Sequence, residues 1–245
     1  MKAMIFAAGL GTRLRPLTDD RPKALVEIGG LPLLEIAIRR LKYFGYEDIV
    51  INIHHFGQQV IDFLEKRQHF GIRITISDER GELLNTGGGL KKAAAFFDNE
   101  PFLLYNTDVL SNIDLHALQA AHLRKKALAT LAVRQRETSR YLLFDERLQL
   151  CGWQNARSGE TRLSRDKPGL VPLAFSGIHV LSPEVFRFMP EGQSVFSIID
   201  VYLEAAKTEP IYGCRHDDSF WLDVGKHPAL AKAEQLLPQL EIASA

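Results

Sequence analysis

The sequence predicts a three-layer α/β fold with a mostly parallel sheet and a small antiparallel extension. In the first half of the chain, apolar runs of strand length alternate with segments of helical periodicity, a pattern typical of parallel sheets covered by helices on both faces. The first apolar run, residues 2–7, leads directly into a glycine-rich turn. Residues 134–181 instead hold short strand-like pieces broken by glycine, proline and charged residues. We expect one domain over residues 1–245, with 134–181 as its antiparallel subregion.

The predicted elements follow one another along the chain. Strands are expected at residues 2–7, 48–53, 72–76, 101–105, 127–133, 211–214 and 220–223. Helices are expected at residues 33–44, 58–66, from about 90, 114–125, 196–207 and 228–237. The first of these helices carries Leu34, Ile38 and Leu41 at helical spacing, and Asp114 is a favourable N-cap for the fourth.

Composition excludes several classes of function. Lysine plus arginine and aspartate plus glutamate number 30 each among 245 residues, so no excess charge attracts nucleic acid or a membrane surface. No apolar run approaches the roughly eighteen residues of a membrane-spanning helix. The chain begins directly with a strand pattern, and Cys151 and Cys214 are too few for a disulfide framework. We therefore expect a cytoplasmic protein with two reduced thiols.

A glycine-rich turn with basic residues marks a predicted phosphate site. Gly9 and Gly11 follow the first strand, where backbone N–H groups can approach phosphate oxygens. Arg13 adds a forked, permanently charged donor, and Lys23 adds a mobile point charge. We expect a polyphosphate to bind residues Ala8, Gly9, Gly11, Thr12, Arg13 and Lys23. The alternative is an ordinary βα turn whose glycines serve only its geometry.

Two commoner phosphate loops do not match this segment. A dinucleotide fingerprint needs a third glycine three residues after Gly11, where Leu14 stands. A P-loop needs Gly-Lys followed by serine or threonine, whereas His227 follows the single Gly-Lys pair of the sequence, Gly225-Lys226.

Two aspartates far apart in sequence are candidate metal ligands. Open α/β sheets bind ligands beyond the carboxyl ends of their strands, so residues 9–13, 77–89 and 106–108 should line one crevice. Asp108 follows an apolar strand there, and a carboxylate beside phosphates needs a cation between them, a role that suits Mg²⁺. Asp223 stands between two apolar residues, where an unpaired acid is costly to bury. Asp108 could instead simply begin a turn or a helix.

These motifs resemble the signature of the sugar-1-phosphate nucleotidyltransferases, also called NDP-sugar pyrophosphorylases. The resemblance is carried by G-x-G-T-R-L at residues 9–14, the Pro-Lys pair at 22–23 and W-x-D-V-G at 221–225, and it covers residue 1 to about 237. It implies a Rossmann-like nucleotidyltransferase sheet. It also implies that an NTP and a sugar 1-phosphate are the substrates and that Mg²⁺ is the cofactor.

The resemblance assigns roles to the residues of the motifs. Arg13 and Lys23 match catalytic residues, and Asp108 and Asp223 match the first and second metal-binding aspartates. The family usually has glycine where Thr107 precedes Asp108 here. That departure bears on the local turn more than on the metal role, because threonine resists the positive φ that glycine permits.

The resemblance also places contacts to the base and the sugar, with 134–181 on the acceptor side. The implied base-binding residues are Thr86, Gly87 and Gly88, and the implied sugar-binding residues are Ser176, Gly177 and Lys167. Lys167 stands in an imperfect version of the family's E-K-P element. Residues 79–86 are expected to form a loop with solvated charges. From the residues alone, the glycine triplet 87–89 could serve packing, and Gly177 could be a bulge in an ordinary strand.

The substrates remain open within the family. Residues 84–89, 150–153 and 175–180 most resemble members that join UTP and N-acetylmuramate 1-phosphate in cell-wall recycling. Mannose-1-phosphate and heptose-1-phosphate guanylyltransferases are alternatives. So are a non-catalytic nucleotide-sugar sensor and a metal-dependent glycosyltransferase, although the latter usually has Asp-x-Asp, whereas Asp108 is followed by Val109 and Leu110 here. We expect no nucleic-acid or membrane partner, and a monomer or small homo-oligomer.

Overall fold

The computed structural model describes residues 1–225 and 227–244, which form fourteen strands and six α-helices. The strands are β1 Lys2–Phe6, β2 Glu27–Ile28, β3 Leu31–Pro32, β4 Asp48–Ile53, β5 Arg73–Asp78, β6 Phe102–Asn106, β7 Val109–Ser111, β8 Ala129–Arg134, β9 Arg140–Phe144, β10 Leu150–Asn155, β11 Thr161–Leu163, β12 Val171–Leu181, β13 Ile211–Arg215 and β14 Trp221–Asp223. The helices are α1 Leu33–Tyr43, α2 Gly57–Lys66, α3 Asn85–Lys92, α4 Leu115–Lys125, α5 Ile198–Ala205 and α6 His227–Leu236. The predicted α/β class and its antiparallel extension are confirmed. Lys226, which entered the P-loop comparison, lies outside the described residues.

The chain divides into two compact units. The first unit comprises Met1–Leu84, Leu104–Ile113 and Phe220–Ala245, and the second comprises Asn85–Leu103 and Asp114–Ser219. The prediction of a single domain over residues 1–245 stays a prediction. None of the helices in the described part of the chain is long and apolar enough to cross a lipid bilayer.

The first unit contains a parallel sheet that ends near the glycine-rich turn. β1 pairs in parallel with β4, and β4 pairs in parallel with β5. Their residues form nearly continuous apolar runs because both faces of a parallel sheet are buried; Met4, Ile5 and Ile51 are fully buried. Two small antiparallel ribbons, β2 with β3 and β7 with β14, belong to the same unit.

An apolar cluster in the first unit anchors the segments that carry the predicted phosphate and metal ligands. Leu14 and Val224, each fully buried, belong to this cluster together with Leu110. Leu14 directly follows Arg13, and Val224 directly follows Asp223. Burial of an apolar neighbour therefore fixes the backbone on which each charged side chain stands.

The second unit contains the antiparallel strands that the sequence predicts between residues 134 and 181. Its strand order is β11-β10-β9-β12-β8-β13, and all pairs are antiparallel except β8 with β13. The α4 helix begins as predicted, because the Asp114 carboxylate accepts a hydrogen bond of 3.0 Å from the Ala117 N–H.

Two expectations for residues 79–90 are wrong. The α3 helix begins at Asn85 rather than near Leu90, so the glycine triplet lies inside the helix. The N–H groups of Gly87 and Gly88 donate to the carbonyl oxygen of Phe196, which satisfies the first turn of the helix. That partner is remote in sequence and gives no local signal.

The second wrong expectation is that Glu79 is a solvated charge. Its side chain is buried, and its Oε1 accepts a hydrogen bond of 2.7 Å from Asn52 Nδ2. Asn52 Oδ1 in turn accepts a hydrogen bond of 2.7 Å from the N–H of Ala7, the residue that follows β1. This buried chain of hydrogen bonds fixes the backbone where the glycine-rich turn begins.

We expect Asn52→Ala to lower the free energy of unfolding by about 1–3 kcal/mol, because the substitution removes a buried acceptor from Ala7 and a donor from Glu79. Urea denaturation measures the effect. Gln58→Ala, which removes an exposed amide paired with Asp62, is the control and should change stability by less than about 0.5 kcal/mol. Equal stability of the two variants would contradict a structural role for the buried chain.

Candidate active site

The glycine-rich turn requires a glycine at its centre. Gly11 has a φ of +66°, in the left-handed region, and its carbonyl oxygen accepts hydrogen bonds from Leu14 N–H (2.8 Å) and Thr18 Oγ1 (2.9 Å). A Cβ atom on Gly11 would lie 2.9 Å from both Lys23 Cβ and Thr18 Cγ2. The close approach brings the stem of Lys23 against the turn, as the sequence predicts for two parts of one phosphate site.

The outer part of the turn faces open space. A Cβ atom on Gly9 would meet no other atom within 4 Å, and Thr12 and Arg13 are exposed. Ala8 is buried and continues the β1 backbone into the turn. The turn is therefore accessible to a ligand while the buried Leu14 holds its end.

The β7–β14 ribbon brings the two predicted metal ligands together. Asp223 is paired with Val109 in this antiparallel ribbon, and the N–H of Val224 donates a hydrogen bond of 2.9 Å to the carbonyl oxygen of Asp108. The two aspartates, remote in sequence, thus occupy adjoining positions on one short ribbon.

Each aspartate faces one of the predicted cations. Lys23 Nζ forms an ion pair with Asp108 Oδ2, and both side chains are largely buried. Arg13 Nη2 lies 3.9 Å from Asp223 Oδ2, and this pair is more exposed. An exposed pair at that separation contributes little stability, whereas a partly buried pair is costly to break by removing one partner. The structure therefore brings together all four charged residues that the sequence singles out.

Gly225 is a site residue to which the sequence reasoning assigned no role. A Cβ atom on Gly225 would lie 2.7 Å from Arg13 Nη2, 2.7 Å from Asp223 Oδ1 and 3.1 Å from Lys23 Nζ. Its N–H also donates a hydrogen bond of 2.8 Å to Asp223 Oδ1. The charged groups converge on the space that a larger residue would occupy. The sequence feature that could have identified Gly225 is its place as the final glycine of the W-x-D-V-G motif.

In the second unit, the predicted base-binding residues form hydrogen bonds with the backbone at the start of α5. Gly87 N–H and Gly88 N–H donate to Phe196 O at 2.9 and 3.3 Å, and Thr86 Oγ1 accepts a hydrogen bond of 3.0 Å from Ile198 N–H. A Cβ atom on Gly87 would lie 2.4 Å from the Phe196 ring. Packing therefore requires glycine at this position, and a role in base recognition stays a prediction.

The predicted sugar-binding residues Ser176 and Gly177 lie at a bulge in β12. The pairing of β12 with β8 shifts register between Phe175 and His179, and Gly177 has a φ of +75°. Ser176 is buried, and its Oγ lies 2.7 Å from His216 Nε2. Lys167 lies on the exposed segment that precedes β12. Their contacts to a sugar stay predictions.

Two buried histidines of the second unit were not singled out by the sequence. Burial lowers the pKa of His216 to about 4 and the pKa of His179 to about 3. His179 Nδ1 forms a hydrogen bond with the hydroxyl of Tyr202. Both imidazoles are therefore neutral near pH 7 and contribute hydrogen bonds rather than charge.

A family model described as "Nucleotidyl transferase" matches residues 2–239. The chain belongs to the nucleotidyl transferase family.

Relatives of this nucleotidyl transferase carry related names. An N-acetylmuramate alpha-1-phosphate uridylyltransferase of Caulobacter vibrioides is 33% identical over 246 residues, covering 97% of each chain. One from Neisseria meningitidis is 34% identical over 242 residues, covering 96% of this chain and 98% of the relative. A UTP--glucose-1-phosphate uridylyltransferase of Synechocystis is 31% identical over 93% of this chain, which spans 61% of that longer relative.

Solved structures share the nucleotidyl transferase fold. The inositol-1-phosphate CTP transferase of T. maritima superposes with a TM-score of 0.78 at 19% identity, covering 100% of this chain and 98% of the other. HddC from Yersinia pseudotuberculosis also superposes with a TM-score of 0.78, at 22% identity, covering 96% and 99%.

The donor set of this nucleotidyl transferase fits Mg²⁺. Magnesium in such sites typically takes one or two carboxylates and completes its coordination with phosphate oxygens and water. The described residues contain no group of three or more histidine, cysteine, aspartate or glutamate side chains that could hold a metal by themselves. Asp108 and Asp223 supply two carboxylates, so a metal held there would need the phosphate oxygens of a ligand to complete its coordination.

We expect Gly225→Ala to lower the rate of nucleotidyl transfer on the order of 10²-fold, because the added methyl group displaces the ends of Arg13 and Lys23. Steady-state assays of pyrophosphate release measure the loss. Gly81→Ala is the matched control, since a Cβ atom there meets nothing within 4 Å. A Gly225→Ala enzyme as fast as the control would contradict the convergence described above.

Proposed function

We propose that this protein transfers a uridylyl group from UTP to N-acetylmuramate 1-phosphate, giving the UDP-sugar and pyrophosphate. The convergence of Arg13, Lys23 and Asp223 on the space beside Gly225, with Asp108 paired to Lys23, carries the proposal. That arrangement is suited to a polyphosphate and a divalent cation. The choice of substrates rests on the names of two relatives that match this chain over nearly their whole length.

The chemistry that we propose needs no covalent intermediate on the protein. An oxygen of the sugar 1-phosphate attacks the α-phosphorus of UTP and forms a new P–O bond. The bond from the α-phosphorus to the bridging oxygen breaks, and its electron pair leaves with pyrophosphate. Such a reaction depends on positioning and on neutralising charge.

Arg13 and Lys23 each have a role in this proposal. Arg13 and the backbone N–H groups of residues 9–12 bind the departing pyrophosphate, since a guanidinium fork matches two phosphate oxygens. Lys23 binds phosphate oxygens near the reacting centre as a compact charge. Asp108 and Asp223 would hold Mg²⁺, which supplies further neutralisation of the phosphate charge when bound.

The charge balance of the four side chains supports a role for the metal. Two cations and two carboxylates sum to zero net charge, whereas a nucleoside triphosphate is a polyanion. Without a further cation, the carboxylates of Asp108 and Asp223 would repel the phosphates that Arg13 and Lys23 attract. A divalent ion reverses that repulsion and makes the carboxylates part of the binding site.

A cytoplasmic location, a role in cell-wall recycling and a monomeric or small oligomeric state belong to the same proposal. The two cysteines are free thiols, and burial raises the pKa of both. Protonated, partly buried thiols fit a reducing compartment.

Guanylyltransferase activity towards mannose or heptose 1-phosphate is the alternative within the family. A mannose-1-phosphate guanyltransferase of Yarrowia lipolytica is 30% identical over 92% of this chain, which spans 61% of that relative. A non-catalytic sensor is less well supported, because an idle protein has no need to keep two cations paired with two carboxylates beside the glycine-rich turn.

We expect Arg13→Ala, Lys23→Ala and Asp108→Asn each to lower turnover by roughly 10²–10³-fold, the loss seen when one preorganised charge is deleted. Arg15→Ala, which removes an exposed guanidinium near the turn, should keep most of the activity. Pyrophosphate release measures all four variants, and circular dichroism checks that each one is folded. Wild-type turnover in any of the first three would overturn the residue's assigned role.

A matrix of four NTPs against the 1-phosphates of N-acetylmuramate, N-acetylglucosamine, mannose and heptose tests the substrates. We expect the highest kcat/KM with UTP and N-acetylmuramate 1-phosphate. High activity with another pair and none with this one would overturn the substrates while leaving the reaction class intact. No pyrophosphate from any pair would support the sensor.

A further inference from the structure

Arginine side chains cluster at the carboxyl end of β8 in the second unit. Arg134 ends β8, and Arg215 ends the neighbouring strand β13. Asp217 is the acid closest to them in the hydrogen-bond network, and its carboxylate is already engaged. Its Oδ1 accepts from Gln135 N–H at 2.8 Å, and its Oδ2 accepts from Arg215 Nε at 2.6 Å. Asp217 forms an ion pair with Arg215, and although its charge also acts on Arg134, the two side chains form no ion pair.

Arg134 is held by backbone carbonyl groups. Its Nη1 donates to Ser219 O at 3.0 Å, and no carboxylate of the described residues lies within ion-pair distance of its guanidinium. Its Nε is buried and has no hydrogen-bond partner in the described part of the chain. A half-buried guanidinium without a paired acid favours the approach of an anion.

Arg136 forms a hydrogen bond with the backbone at the bulge of β12. Its Nη2 donates a hydrogen bond of 3.0 Å to the carbonyl oxygen of Phe175, the residue directly before Ser176 and Gly177. The guanidinium therefore lies near the two residues that the family resemblance assigns to the sugar.

His216 supports the same bulge from the other side. Its N–H donates to Val133 O at 3.1 Å, and its Nε2 lies 2.7 Å from Ser176 Oγ. Its Nδ1 is buried and unpartnered among the described residues. Burial is the main cause that lowers the pKa of this imidazole, and the positive charge of Arg134 lowers it further. The imidazole is therefore neutral, and the positive charge here belongs to the guanidinium groups alone.

We propose that Arg134 and Arg136 form the part of the acceptor site that binds a carboxylate, the group that distinguishes N-acetylmuramate from N-acetylglucosamine. This inference rests on the proposed function and adds the residues that select an acidic sugar. The lactyl carboxylate presents two oxygens, which suit guanidinium forks better than a single ammonium. Ser176 and His216 act as positioning residues that hold the bulge next to the arginines.

The phosphate of the sugar is a second anion that the arginines could meet. The two anions are distinguishable, because every acceptor has the phosphate and only an acidic sugar has the carboxylate. Loss of a carboxylate contact changes the selectivity between two sugars, whereas loss of a phosphate contact weakens both equally.

The test compares kcat/KM for N-acetylmuramate 1-phosphate and N-acetylglucosamine 1-phosphate, each with UTP and Mg²⁺. We expect Arg134→Gln and Arg136→Gln to lower kcat/KM for the acidic sugar by about tenfold to a hundredfold, mainly through KM. The value for the neutral sugar should change by less than about threefold. Arg136→Lys, which keeps the charge but loses the fork, should fall between wild type and Arg136→Gln. Arg157→Gln removes an exposed charge from a turn of the same unit and is the control.

Each outcome decides the inference. Selective loss with the acidic sugar supports it. Equal loss with both sugars, or no loss in either glutamine variant, overturns it while wild-type activity keeps the proposed function. If Arg136→Gln does not fold, Arg134→Gln and Arg136→Lys decide by the same selectivity ratio. Absence of wild-type turnover with N-acetylmuramate 1-phosphate overturns both the proposed substrate and this inference.

Discussion

The hydrogen bond from the N–H of Val224 to the carbonyl oxygen of Asp108 is the contact on which the candidate active site depends. It closes the β7–β14 ribbon at the point where the two aspartates stand. Without that ribbon, two acids far apart in the sequence have no reason to share a site. The buried side chains of Leu110 and Val224 hold the ribbon in the same apolar cluster as Leu14, beside Arg13. Packing of apolar neighbours therefore places the charges.

The charges restrain one another in the absence of a ligand. Lys23 pairs with Asp108, and Arg13 faces Asp223, so neither carboxylate is left without a nearby cation. A buried charge that loses its partner is costly, and this favours exchange of partners over simple exposure. In the proposed function, a polyanion with a divalent cation would offer such an exchange: Arg13 and Lys23 would bind phosphate, and Asp108 and Asp223 would hold the metal.

Local sequence patterns predict the elements of the fold and the charged residues of the site. The apolar runs identify β1, β4 and β6, and glycine spacing with Arg13 and Lys23 identifies the turn. The same reasoning missed Glu79 because a charged residue beside Asp78 resembles a solvated loop. Its burial depends on Asn52, a residue on another strand. It also missed the true start of α3, because the carbonyl group that satisfies the first turn belongs to Phe196.

Functional roles that depend on contacts between distant segments were equally hidden. Gly225 is visible as part of a motif, yet only the structure shows three charged groups converging on it. The bulge at Gly177 was an open alternative, and the structure has both the bulge and a buried hydrogen bond between Ser176 and His216 behind it. Short motifs therefore identify the chemistry, while the contacts that set its geometry arise from tertiary packing.

A crystal structure of the protein with Mn²⁺ and a non-hydrolysable UTP analogue tests the central claim most directly, through the anomalous scattering of the metal. We expect one strong anomalous peak within coordination distance of a carboxylate oxygen of Asp108, a carboxylate oxygen of Asp223 and the phosphates, with Arg13 and Lys23 turned to phosphate oxygens. A metal held away from both aspartates, or an analogue bound away from the glycine-rich turn, would contradict it.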